Sequence, residues 1–463
     1  MKKLVSVLSL VGCALLTRAQ DLPQRLSSAV QQLLADPQMK HAILDLAVVK
    51  SETGEKIYDI NAQTGLVPAS CQKIITAATA FDILGAAYRY RTCIGYDGNL
   101  EKGVVKGNLY LSGSGDPSLG SWRYAVTNEQ LVRKTWAGAL TANGIKRIEG
   151  KLIGYNGRWD ANILPGGWIW DDMGNYYGAG VAALNWHENQ YDLTLRSGKE
   201  TGTAVTIVSA VPRPYQVTLN SELTAAAKGT GDNAYIYLPP AGSRGYVRGT
   251  IPVEEKAFTI SGSFPDPAMQ TVQVLKSLLD SLRIPVRGVQ VSNTSDTPAM
   301  RVLHCQLSPS LDSLNYWFLR KSINLYGEAF LRTIAYEKTG SGLPDKGLQL
   351  LREFWREKGI EPAALHMIDG SGLSPQNRVT TDALVKVLQY ARTRDWFRYY
   401  YDALPTYNQM KLKSGTIGGA KSFAGYHTAK DGTAYTMAII VNNYDGSAAE
   451  IVKKLFAVLD VLK

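Results

Sequence analysis

Apolar residues recur at three- and four-residue intervals over Leu22–Leu34, which predicts an amphipathic helix. Alternation takes over at 41–50 and 56–61, and Glu52-Thr53-Gly54-Glu55 between them predicts a hairpin turn. Helical spacing returns with Ile74, Ile75, Ala77 and Ala78, a run that Pro68 sets apart from the hairpin. From about residue 90 to 265 the pattern changes to short β-type segments, at 107–112, 191–195, 205–210 and 235–238, set among Gly, Pro, Tyr and Thr. Helices are predicted again at 267–282, 310–319, 323–336, 347–358 and 382–393. Three alternating strands, at 410–416, 423–429 and 434–442, and a helix at 448–462 close the chain. This order predicts an α+β protein whose main domain, 20–85 plus 266–463, is built from both ends of the chain. Two nested β-rich domains, 86–265, interrupt it.

The length of 463 residues accommodates that plan, and 45% hydrophobic with 19% charged residues is the balance of a globular protein with full cores. The first nineteen residues differ: Lys2 and Lys3 precede an apolar run over 4–16 that ends in Thr17-Arg18-Ala19, which reads as a secretory signal peptide. Leu10-Val11-Gly12-Cys13 also fits a lipoprotein cleavage box, a minor alternative in which Cys13 carries a lipid anchor. No other segment is long and apolar enough to predict a membrane span. The net charge of +10 is scattered and predicts no nucleic-acid footprint. Beyond the leader only Cys71, Cys93 and Cys305 remain, leaving room for at most one disulfide. Five histidines are dispersed, with no HExxH and no paired CxxC, so neither a metal nor a cofactor is expected.

Chemistry enters with Ser70-Cys71-Gln72-Lys73 at the start of the second predicted helix. Ser70 and Lys73 share one helix face a turn apart, which offers a nucleophile and its own base beside backbone N–H groups that favour negative charge. Ser322-Ile323-Asn324 falls in the break between two predicted helices and supplies a hydroxyl and an amide on one corner. Two segments offer a cation. Lys338-Thr339-Gly340 sits at the end of a predicted helix, where a basic residue and a glycine are ordinary capping chemistry. Lys413-Ser414-Gly415-Thr416 lies on a strand, where Gly415 is expected to let a substrate backbone approach, and it is preferred.

SxxK, SxN and a K[ST]G strand, in that order, resemble the serine penicillin-binding proteins and β-lactamases. The long interval between Ser70 and Ser322 narrows the resemblance to the class C low-molecular-mass penicillin-binding proteins, the D-alanyl-D-alanine carboxypeptidase/endopeptidase family. Gly115-Asp116-Pro117-Ser118-Leu119, Tyr176-Tyr177-Gly178-Ala179, Ala183-Leu184-Asn185-Trp186, Val247-Arg248-Gly249-Thr250-Ile251-Pro252, Pro265-Asp266-Pro267-Ala268 and Asp369-Gly370-Ser371-Gly372-Leu373-Ser374 agree with it across the chain.

The resemblance implies a transpeptidase-type domain with an antiparallel sheet, a periplasmic location, peptidoglycan peptides as substrates and β-lactams as acylating inhibitors. It implies Ser70 as acylated nucleophile, Lys73 as base and Ser322 as proton relay. Asn324 is then expected to contact Lys73 and the substrate amide. Lys413, with the hydroxyls of Ser414 and Thr416, is expected to receive the terminal carboxylate, and the N–H groups of Ser70 and Thr416 to form the oxyanion hole. In Trp170-Asp171-Asp172-Met173, Asp172 is the expected partner of the peptide's diamino acid, with Tyr177 beside it. Pro375 and Gly418 stand where relatives carry basic or polar side chains. Cys71 is read as a small buried hydrophobe on another helix face. A β-lactamase and a catalytically silent peptidoglycan-binding scaffold are the competing readings. Against the former, Val181, four residues before Asn185, stands where a deacylating glutamate is wanted.

Overall fold

The computed structural model describes residues 21–159 and 161–463, so the expected leader and Cys13 lie outside the described residues. Both ends of the chain enter one antiparallel sheet of six strands, in the order Thr406–Tyr407, Met410–Ile417, Ala420–Thr428, Ala434–Asn442, Ile43–Lys50, Lys56–Ile60. Its strand Ala434–Asn442 is buried on both faces, and its side chains alternate between two cores as the two-residue period requires. Met437, Ile439 and Val441 point to one core, where helices Leu22–Leu34 and Ala448–Leu459 contribute Leu26, Val30, Ile451 and Leu455. Ala438 and Ile440 point to the other, which holds the helices that carry the chemistry. At the centre of that second core lies helix Lys73–Leu84, buried from Lys73 to Phe81 because every side of it meets another element. Helices Asn324–Thr339, Pro344–Arg356 and Thr381–Arg392 pack around it, each within two or three residues of its expected bounds.

The interrupting segment has two cores of its own. In the first, a five-stranded sheet runs Val289–Ser292, Leu152–Tyr155, Leu109–Gly113, Arg91–Tyr96, Arg301–Leu307. Helices Glu129–Ala142 and Pro267–Ser281 cover it with Val132, Trp136, Leu140, Val272, Leu275 and Leu279. Helix Glu129–Ala142 is an element that the β-rich pattern of this stretch does not predict. Only Val132, Trp136 and Leu140, at four-residue intervals, are buried, a stripe too thin to stand out among polar neighbours. Cys93 and Cys305 form a disulfide between paired strands. In the second core, two three-stranded sheets pack Tyr191, Leu193, Val247 and Ile260 together. Because Pro267–Ser281, Val289–Ser292 and Arg301–Leu307 join the inserted sheet, we propose that the chain returns to the main domain near residue 308 rather than at 266.

Asp45 is an anomaly in the central sheet. It is fully buried opposite Ile440, and among the described residues neither carboxyl oxygen has a hydrogen-bond partner. Burial pushes its pKa up to about 8. The folded protein thus holds a proton that the unfolded chain releases from about pH 4 upward, so stability falls as pH rises from there to about 8. Asp45→Asn is expected to flatten that slope, so that the melting temperature of the variant gains several degrees on the parent between pH 5 and 8. Parallel slopes for the two proteins would overturn the assignment.

Candidate active site

Ser70 lies in a tight 3-10 turn, Ala69–Gln72, that runs directly into helix Lys73–Leu84. Ala69 is held at φ +45°, a left-handed conformation rare outside glycine, and this bend presents Ser70 at the helix entrance. One turn later Lys73 is fully buried. Its Nζ lies 3.0 Å from Ser70 Oγ, 2.6 Å from Asn324 Oδ1 and 2.6 Å from the Ser371 carbonyl oxygen. All three are neutral acceptors. Burial, reinforced by the charge of Lys413, holds the Lys73 pKa well below the ordinary lysine value. When the amine is neutral, the 3.0 Å contact lets the Ser70 hydroxyl donate to its lone pair.

Asn324 begins helix Asn324–Thr339, and Ser322 precedes it at φ +59°. The Asn324 Nδ2 donates to the Tyr177 carbonyl at 2.7 Å, which turns Oδ1 toward Lys73 and ties the inserted region to the catalytic corner. Lys413 reaches the same corner from strand Met410–Ile417. Its buried Nζ donates to Ser322 Oγ at 3.0 Å and to the Ser414 carbonyl at 2.7 Å, and burial lowers its pKa to about 8. The structure therefore brings Ser70, Lys73, Ser322, Asn324 and Lys413 into one connected set.

Gly415 has a different reason from the one expected. A Cβ there would fall against the Ser422 hydroxyl and the Pro68 carbonyl, and 2.9 Å from the Ser70 amide nitrogen. The glycine admits the protein's own helix entrance rather than a substrate backbone, and so brings the strand beside the Ser70 N–H. Thr416 lines the cleft, and its Oγ1 accepts from Lys421 at 2.6 Å. Ser414 is set apart: its hydroxyl donates to Tyr407 at 3.3 Å and does not line the cleft. Cys71 is buried, and its Sγ donates to the Lys413 carbonyl at 3.1 Å, so it braces the strand. Lys338 stands in the last turn of its helix and Gly340 caps it at φ +74°, away from the cleft.

A buried carboxylate that sequence reasoning left without a role organises the third wall. Asp369 Oδ1 accepts from Gln72 Nε2, the Gly372 N–H and Asn377 Nδ2, and Oδ2 from Trp168 Nε1 and the Ser374 N–H, at 2.6–3.0 Å. Five donors fix the loop that carries the Ser371 carbonyl, hence one of the three contacts of Lys73. Glu328 accepts from the Gly370 N–H at 3.1 Å, and burial pushes its pKa up to about 8, so it is protonated at neutral pH. The density of Gly and Ser around Asp369 was the available signal, since such a loop needs an internal acceptor for its N–H groups.

These walls enclose a cleft of about 610 Å³ lined by Ser70, Ser322, Asn324 and Thr416 on one side and by Asp172, Tyr177 and Tyr237 on the other. Asp172 Oδ2 is buried without a partner among the described residues, and burial, then the neighbouring Asp171 charge, pushes its pKa up to about 6. Trp168 is buried on Asp369, whereas Trp170 and Tyr176 are 40% and 54% exposed at the rim, so the aromatic cluster divides between core and cleft wall.

A serine hydroxyl in contact with a buried lysine amine, set between a helix entrance and an antiparallel sheet, is the arrangement of the penicillin-recognising serine enzymes. Residues 26–460 match the family model described as the D-Ala-D-Ala carboxypeptidase 3 (S13) family, and the chain belongs to that family of serine hydrolases. It is 27% identical to a D-alanyl-D-alanine carboxypeptidase of Actinomadura sp. (strain R39), over 93% of this chain and 83% of that protein. It is 23% identical to the D-alanyl-D-alanine carboxypeptidase DacB of Haemophilus influenzae, over 96% and 94%. The crystal structure of penicillin binding protein 4 (dacB) from Haemophilus influenzae superposes with a TM-score of 0.80 at 21% identity, covering 94% of this chain and 97% of that one. That likeness is one of fold.

Gly415→Ala is expected to force the strand away from Ser70, destabilising the protein by about 1–3 kcal/mol and slowing Ser70 acylation by roughly 100-fold. Thermal melting and stopped-flow acylation by a chromogenic β-lactam measure the two effects. Unchanged acylation would show that the close approach has no bearing on reactivity.

Proposed function

We propose that this protein is a periplasmic D,D-peptidase that releases terminal D-alanine from peptidoglycan stem peptides, opens D-alanyl cross-links and is acylated at Ser70 by β-lactams. The observation that carries the reading is the buried Lys73 amine, which touches Ser70 and Asn324 while Lys413 touches Ser322. Support for export comes from the leader-like residues 1–19, and among the described residues no helix is long and apolar enough to cross a membrane. A crystal structure of Haemophilus influenzae penicillin binding protein 4, similar to this chain at TM-score 0.75, is described as complexed with a β-lactam.

Each step falls to a residue of the site. Lys413 receives the terminal carboxylate, with Thr416 beside it. Neutral Lys73 takes the Ser70 proton as Oγ bonds to the penultimate D-alanine carbonyl carbon. The N–H groups of Ser70 and Thr416 hold the oxyanion, at roughly 3 kcal/mol per donor. Ser322, bonded to Lys413, passes a proton to the departing amine as the C–N bond breaks. Water then takes the place of the amine and hydrolyses the ester. Asp172 and Tyr177 face the acyl side and hold the diamino acid's amine. Glu188, a further carboxylate of the cleft, is bound by Ser121, Arg123 and Tyr326, which leaves it unsuited to serve as a deacylating base.

Benzylpenicillin is expected to add its mass to the wild type and to leave Ser70→Ala unmodified, as read by intact mass spectrometry. Pentapeptides and cross-linked muropeptides are expected to release D-alanine or monomers only with Ser70 present. Drug hydrolysis without a lasting adduct would shift the reading to a β-lactamase, and neither adduct nor hydrolysis to a silent scaffold. Lys73→Gln is expected to slow acylation by roughly a thousandfold or more.

The lysines also set the pH dependence. Burial and the charge of Lys413 hold the Lys73 pKa well below the ordinary lysine value, which favours its role as base, whereas Lys413 loses its charge as pH passes about 8. The kcat/KM for carboxylate-bearing peptides is therefore expected to fall above about pH 8. A profile still rising at pH 10 would overturn the assignment of the carboxylate to Lys413.

A further inference from the structure

One cation of the cleft has no part in the chemistry above. Arg123 lines the same cleft as Ser322 and Tyr177, yet its side chain is only 19% exposed. Its Nε donates to both oxygens of the buried Glu188, at 2.9 and 3.1 Å. Glu188 Oε1 also accepts from Ser121 Oγ at 2.8 Å and from Tyr326 OH at 2.8 Å, so that carboxylate is already well satisfied. The guanidinium lies over two indole rings, 5.1 Å from the Trp122 centroid and 5.3 Å from that of Trp317, which fixes its plane. His187, Glu188 and Asn189 all adopt left-handed backbone conformations, φ 52–54°, in the turn that aims Glu188 at Arg123. Among the described residues the two Nη amino groups meet no protein acceptor.

A guanidinium held on one edge by a carboxylate, flanked by aromatic rings and open on its other edge to a cleft is a preorganised receptor for a planar anion. Glu188 offsets the Arg123 charge, which favours a singly charged, bidentate carboxylate over a dianion. On the reading that the cleft takes peptidoglycan stem peptides, we infer that Arg123 is a second carboxylate subsite. It binds a free carboxylate of the peptide other than the terminal one that Lys413 receives. Two carboxylates of the stem fit this chemistry, the free α-carboxylate of its γ-linked glutamate and the free carboxylate of its diamino acid. Where either is amidated, the subsite loses its ligand, so Arg123 makes the enzyme selective for non-amidated peptidoglycan.

Steady-state kinetics on three matched D-alanyl-D-alanine pentapeptides test this: one with both carboxylates free, one amidated at the glutamate, and one amidated at the diamino acid. The wild type is expected to prefer the free acid over one of the two amides by roughly 10-fold in kcat/KM, mainly through KM. Which amide is discriminated identifies the carboxylate. Arg123→Gln is expected to bring that ratio to near 1, and Arg123→Lys to leave an intermediate ratio. Because Arg123→Gln strands Glu188, the double variant Arg123→Gln/Glu188→Gln is measured beside it and is expected to show the same loss of discrimination. The inference is overturned if the wild type does not discriminate, or if the variants slow all three peptides by one factor, the mark of a structural ion pair. Benzylpenicillin acylation of the same preparations separates the two levels. Acylation without discrimination overturns the subsite alone, and no acylation with no hydrolysis overturns the peptidase reading with it.

Discussion

Two amines buried in one dry corner cannot both stay charged without carboxylate partners, and the site is arranged around that constraint. Lys73 and Lys413 are each fully enclosed, and each donates to hydroxyl, amide and carbonyl oxygens rather than to an acid. Desolvation lowers the pKa of both, and the Lys413 charge lowers that of Lys73 further, which suits the proposed roles of Lys73 as base and Lys413 as cation. The nearest acids, Asp369 and Glu328, push the Lys73 pKa back up but make no hydrogen bond to its amine. Asp369 is consumed by three donors from its own loop together with Gln72 and Trp168, and Glu328 is pushed toward its neutral form, so neither pairs with Lys73. The cost of burying the amine is met by the surrounding packing, as strain at active sites generally is.

The three short motifs made the meeting of Ser70, Lys73, Ser322, Asn324 and Lys413 legible, because spacing, helix breaks and strand alternation fix which side chains face a common corner. The α+β plan was legible for a similar reason: the hairpin after the first helix and the three late strands alternate over lengths that only a sheet accommodates. What escaped is non-local. Strands Val289–Ser292 and Arg301–Leu307 pair with partners between 91 and 155, and nothing in their local pattern marks the sheet they join. The Cys93–Cys305 disulfide spans 212 residues and becomes visible only when that pairing does. Arg123 carries no motif, and its role depends on a turn at 187–189, two indoles and a tyrosine from four different segments. Ser414 turns to Tyr407 across a strand edge that the motif does not specify.

The interrupting segment is part of the catalytic corner rather than an appendage. The Tyr177 carbonyl fixes the Asn324 amide, Trp168 satisfies Asp369, and Asp172 and Tyr177 form the cleft's opposite wall. Each contact crosses from the inserted β-rich region to the main domain. The segment therefore both shapes what enters and holds the residues that react.

The central sheet imposes an order on when this protein can exist as an enzyme. Strand Ile43–Lys50 pairs with Ala434–Asn442, far along the chain, and Lys413 lies two strands further across the same sheet, on Met410–Ile417. The helix that follows Ser70 packs on a sheet whose strands come from both of these stretches. Pairing between such distant segments closes slowly. Ser70 and Lys413 are therefore brought together only by the closure of a sheet whose strands come from distant stretches of the chain.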